Sequence, residues 1–219
     1  MKTVVATGIL GLWSAAGFAM CPYPTPKACN YYFTHDVVFV GKVLSERWTD
    51  DYIRFRVEVV RVLRGQLGAT ATVYTGNDSA RLQWDVGRTY VVFAGRRSGR
   101  LESGNDCGPL SDPDKVDETL REIHELRTAK GATIEGEVLD RQGVGKGVPG
   151  VSISVRGGGS AFQTRSDANG RFLFRVPAGR YELPLSADGP FQSDYNGDTN
   201  LRNMALVDGQ CAQIQLVAR

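Results

Sequence analysis

Four cysteines, two histidines and one run of alternating oxygen-bearing side chains are the residues of this 219-residue chain with the most chemistry to offer. Cys21, Cys29, Cys107 and Cys211 never fall at C-x-x-C spacing, and neither histidine stands near a cysteine pair, so a structural zinc cluster is not expected. In an exported chain such cysteines pair as disulfides. His35 precedes an apolar run and His124 sits inside EIHELR; no second ligand lies at metal spacing from either. A Cys–His nucleophile needs a free thiolate, which disulfide cysteines do not offer, and nothing resembles a nucleophile elbow, H-E-x-x-H or a phosphate loop. No catalysis and no cofactor are therefore expected. In SDYNGDTN, Asp194, Asn196 and Asp198 alternate as the opening of a calcium loop would. Its glycine comes too early and the twelfth position is Ala205 rather than Glu, so a polar surface loop is the preferred reading, with calcium as the weaker one.

Aromatic rings are the other candidates for contact, because they give large area at low entropic cost. Tyr23, Tyr31, Tyr32, Phe33, Trp48 and Trp84 qualify. Tyr31-Tyr32-Phe33 reads as a segment packed onto the body of the domain. Trp48, in the polar stretch RWTDD, is the best candidate for an exposed contact, and Tyr23 joins it as a possible binding residue.

The elements that would position these groups follow from the pattern of the chain. Lys2, the apolar run Val4–Ala16 and the small residues before Ala19 read as an export leader cut after Ala19, with the mature chain beginning at Met20. That run is too short to span a bilayer, and no stable membrane insertion is expected once it is removed. The remaining 200 or so residues suffice for two modest cores. Lys and Arg number 26 against 24 Asp and Glu, and no long basic block occurs, so nucleic acid is not an expected partner. In YIRFRVEVVRVLRG, Phe55, Val57 and Val59 alternate with Arg54, Arg56 and Glu58, the signature of a half-buried strand. Turn residues separate it from DVVFVGKVLSE, TATVYTG, TYVVFAG and GRLESG. SDPDKVDETLREIHELRT predicts one helix, capped by Ser111 or Asp112, with Pro113 in its first turn. Val116, Leu120, Ile123 and Arg127 mark one face, and Asp117 and Arg121 are spaced for an ion pair. From Ala132, short strands recur about every ten residues, as in a β-sandwich.

Two resemblances attach to these segments. HDVVFVGKV, FRVEVVRVLRG, TVYTGNDSA, VGRTYVVFAG and GRLESGNDC, in this order, resemble the netrin-type module of tissue inhibitors of metalloproteinases. IEGEVLD, GVPGVSISV, RSDANGRFLFRVPAGRYEL and DGQCAQIQLV resemble the carboxypeptidase regulatory-like domain, a transthyretin-like sandwich without catalytic residues. The implied fold class is mainly β: an OB-fold-type barrel with a flanking helix, then an immunoglobulin- or transthyretin-like sandwich. The implied domains are a leader 1–19, a barrel domain 20–127, a linker 128–131 and a sandwich 132–219.

The first resemblance implies that an N-terminal cysteine could chelate a protease zinc through its free amine and carbonyl. Here Met20 would precede Cys21, and Ala80-Arg81-Leu82 stands where the family carries a further cysteine. A disulfide at Cys21 is therefore the preferred reading. Cys107 matches a family position that pairs with the N-terminal segment, through Cys21 or alternatively Cys29. Cys29 and Cys211 are then left to bridge the domains or to stay unpaired. The expected partner of such an exported chain is a protein or a surface polysaccharide.

Overall fold

In the computed structural model, described residues are 27–78, 81–104, 112–141, 146–184, 191–193 and 200–218. The leader, Cys21, Tyr23, Cys107, Ser111, Asp194, Asn196 and Asp198 lie outside them.

The first half is a closed barrel of β1 (Val37–Trp48), β2 (Tyr52–Arg64), β3 (Thr70–Gly76), β4 (Thr89–Arg97) and β5 (Arg100–Glu102). Its order is β1-β2-β3-β5-β4, closed by antiparallel pairing of β4 with β1, and β3 with β5 is the parallel step. This is OB-type connectivity. The alternation read in β2 holds: Ile53, Phe55 and Val57 point inward while Arg54, Arg56 and Glu58 are exposed. Three irregularities in the β1–β2 register bend these long strands around the barrel. Phe39, Phe55, Val73, Tyr90 and Leu101 fill the interior. Trp84 belongs with them and not among the exposed rings: it is 5% exposed, stacked on Tyr90 at 5.2 Å and 5.1 Å from Phe55. The loop before β4 lays this large ring into the barrel, so its apolar surface is spent on the core.

Two helices cover one outer face. The first, α1 (Ala28–Thr34), sets Tyr32 and Ala28 against Val38, Val91 and Phe93, which explains why β1 and β4 read as continuous apolar runs. Tyr31–Phe33 is thus a packing segment, as expected. The second, α2 (Val116–Thr128), follows a 3-10 turn at Pro113–Lys115 whose cap is Asp112, accepting from Asp114 N at 2.9 Å. Val116, Leu120 and Ile123 face the barrel as predicted, joined by Leu126 where Arg127 was expected; His124 is exposed. The ion pair here is Lys115–Glu118 at 3.0 Å instead of Asp117–Arg121, because three-residue spacing at the helix start brings those two groups together.

The second half is a sandwich of two four-stranded sheets. One holds β6 (Ala132–Leu139), β9 (Arg171–Val176), β11 (Phe191–Ser193) and β13 (Cys211–Ala218); the other holds β7 (Ser152–Gly157), β8 (Ser160–Arg165), β10 (Gly179–Glu182) and β12 (Met204–Leu206). Ile134, Val155, Phe172, Phe174, Tyr181, Ile214 and Leu216 meet between them. The β8–β9 turn works as its residues predict. Asp167 Oδ1 accepts from Asn169 N (2.8 Å) and Arg171 N (2.9 Å), and Gly170 takes φ +78°. Among the described residues, no helix is long and apolar enough to cross a membrane.

Candidate binding surfaces and the domain junction

The two domains meet where α1 crosses onto the sandwich. Cys29, on α1, is bonded to Cys211 at the start of β13, 182 residues away. Of the pairings open in the sequence, the one between domains forms, and Cys29 is therefore not the partner of Cys107. Beside this bond Lys27 Nζ lies 2.6 Å from Glu135 Oε1 on β6, and Lys27 N donates to Gln213 Oε1 at 3.2 Å. On the other flank the C-terminus of α2 rests on the β12–β13 turn. Gly209 there has φ +81°, and a Cβ on it would stand 2.1 Å from Leu126 O. Gly131 N, in the linker, donates to Asp208 Oδ1 at 2.8 Å.

Cys29, Cys211 and Glu135 place three donor atoms within 4.8 Å of one another. As a disulfide the two sulfurs are not thiolates, so this junction is a covalent lock and not a metal-ligand set. His35 Nδ1 lies 3.1 Å from Tyr31 O, and its ring packs on Tyr31.

A cavity of about 650 Å³ opens on the sandwich beside the lock, lined by Lys27, Glu135, Glu137, Arg171 and Leu173 among others. Two ion pairs lie within its lining, Lys27–Glu135 and Arg171 Nε–Glu137 at 3.0 Å. A second, polar cleft of about 950 Å³ lies on the barrel. Arg96 closes one side, its backbone N donating to Asp36 Oδ2 at 2.6 Å and its Nη2 to Gln66 O at 3.1 Å. The other side is an aromatic–cation stack. Tyr52 and Tyr74 pack edge to face at 5.4 Å, with the Arg100 guanidinium 5.3 Å and 5.0 Å from their ring centres.

Of the expected contact residues, Trp48 is half exposed at the end of β1, with the Arg81 guanidinium 5.5 Å over its ring. It stands on the β1–β2 hairpin tip, which Thr49 fixes by bonds with Tyr52. Sequence reasoning did not single out Tyr52, Tyr74, Arg96 or Arg100. The alternation in YIRFRVEV marks Tyr52 as outward-facing, but only barrel closure brings β5 to β3 and sets Arg100 over the two tyrosines.

Fold and junction together describe a mainly β protein, an OB-type barrel covalently tied to an immunoglobulin-like sandwich. Residues 133–212 match the carboxypeptidase regulatory-like domain, and the sandwich is a domain of that family. No curated protein matches the chain. Among solved structures, it is similar to the Bacillus anthracis TIE protein at 12% identity and a TM-score of 0.28, over 84% of this chain and 31% of that one. The chain thus spans under a third of that protein's length.

Proposed function

We propose that this is an exported, non-catalytic binding protein whose barrel presents the ligand face, with the sandwich locked behind it. The observation that carries the proposal is the barrel cleft, in which polar groups and an Arg100–tyrosine stack converge near the C-terminal end of the disulfide-anchored α1. Such a rigid, polar, aromatic-lined surface suits recognition of a protein or a surface polymer at low ordering cost. Export is supported by the disulfide, which persists in oxidising compartments. The leader expected over residues 1–19 accords with this.

Protease inhibition is the narrowest form of this proposal. It draws on the netrin-type likeness and requires Cys21 to carry the chain's free amine. Sequencing the N-terminus of the exported protein tests it, since a start at Met20 turns that amine into an amide. A second reading assigns carbohydrate or envelope binding to the sandwich, favoured by its cavity and the exposed Leu173. Retention of the labelled full chain on cell-envelope material tests both. Loss in Tyr74→Ala but not in Leu173→Arg supports the barrel, and the reverse pattern supports the sandwich. No retention with either intact surface overturns the binding proposal.

A further inference from the structure

The register of the barrel gathers five exposed arginines into two rows on its outer face. Arg47 on β1 stands directly opposite Arg54 on β2, and Arg54 in turn pairs with Tyr74 on β3. One step along, Arg56 opposes Ser45 and Thr72, and beyond the parallel β3–β5 step Arg100 opposes Arg97 in the antiparallel β4–β5 pair. All five guanidinium groups project outward, alternating with the buried Ile53, Phe55, Val57 and Leu101. At about 4.8 Å per strand, the arc around the barrel from β1 through β2, β3 and β5 to β4 is about 19 Å.

This arrangement works against the stability of the free protein. Like charges directly opposite on a sheet repel, and Arg47–Arg54 is such a pair. Glu102 opposes Tyr74, and Glu58 lies two residues on from Arg56, yet among the described residues no ion pair joins either to these arginines. Net charge does not disclose the patch, because the whole chain carries only +2. A ligand with anions repeated along its length would relieve the repulsion, and each guanidinium fork can hold a carboxylate or sulfate through two bonds.

We infer that this barrel face binds a linear anionic polysaccharide, carboxylated or sulfated, laid across β1, β2, β3 and β5. Nucleic acid fits less well. Tyr52 and Tyr74, which could stack on bases, already lie under Arg100, and the half-exposed Trp48 lies under Arg81. The Cys29–Cys211 disulfide also belongs with an oxidising compartment, apart from the reducing cytosol.

The inference rests on the barrel being the binding domain, and its test keeps the two apart. The oxidised full chain is passed over alginate, dextran sulfate, neutral dextran and immobilised single-stranded DNA in a salt gradient. Retention on alginate or dextran sulfate, absent on neutral dextran and released by salt, is expected. Arg47→Ser/Arg54→Ser/Arg56→Ser should lose tenfold or more in affinity. Arg156→Ser/Arg175→Ser/Arg202→Ser, on the sandwich, should retain it. Circular dichroism and tryptophan emission verify that both triple variants are folded. Equal losses in the two variants would mean bulk charge only and overturn the inference, as would stronger retention on DNA. Envelope retention without any polyanion binding would overturn the ligand class while leaving the barrel as the binding domain.

Discussion

Replacing both cysteines of the junction, Cys29→Ala with Cys211→Ala, should convert coupled unfolding of the two domains into separate transitions. The magnitude follows from the chain. A bond closing a separation of 182 residues removes about 5 kcal/mol of conformational freedom from the unfolded chain in the loop-entropy treatment. The non-covalent contacts at the same place are weaker. Lys27–Glu135 is a partly exposed pair, with 55% and 23% side-chain exposure, and adds about 0–1 kcal/mol. The Lys27–Gln213 and Gly131–Asp208 bonds add about 1 kcal/mol each. The covalent bond therefore dominates the coupling. The assay is urea unfolding followed by tryptophan emission and by far-UV circular dichroism. Beyond residue 19 the only tryptophans are Trp48 and Trp84, both in the barrel, so emission reports that domain while dichroism reports both. In the oxidised protein the two curves should coincide. In the variant they should separate, with a loss of about 3–5 kcal/mol in total stability. Coincident curves shifted by less than about 1 kcal/mol would refute the reasoning and place the coupling in the non-covalent contacts.

Three further outcomes are expected. Burial pushes the Tyr181 phenol above its usual pKa of 10.0, so the folded state keeps a proton that the unfolded chain gives up. Its contribution is complete below about pH 10 and is lost as pH rises from there. Urea midpoints between about pH 8 and pH 11 should fall more steeply in the native protein than in Tyr181→Phe. At neutral pH that variant should be about 1 kcal/mol less stable, through the lost bond to Pro177 O. Gly209→Ala sets a Cβ 2.1 Å from Leu126 O at φ +81° and should cost about 2–3 kcal/mol. Faster amide exchange in the last turn of α2 is the accompanying sign; unchanged exchange and stability would mean the helix end is not docked on this turn. Asp167→Ala removes the acceptor for two backbone N–H groups and should cost about 1–2 kcal/mol by thermal unfolding, while Asp167→Asn, which keeps one side-chain oxygen, should cost less.

Local chemistry carried much of this protein in its sequence. Period-two alternation in β2, the turn Asp167–Gly170, the helix after Asp112 and the ten-residue rhythm of the sandwich strands each depend on neighbours within a few positions. Those features were legible, together with the mainly β fold class and the domain type of the second half. What the tertiary structure decided depends on residues far apart in the chain. Four cysteines allow three full pairings, and only the crossing of α1 onto β13 selects Cys29–Cys211. Trp84 stood among the candidate contact rings until barrel closure set it against Phe55 and Tyr90. The arginines of the outer face are separated by up to 53 residues, from Arg47 to Arg100. Register makes Arg47 and Arg54 opposites and Arg97 and Arg100 neighbours, and a shift of one residue would turn each of these side chains to the other face.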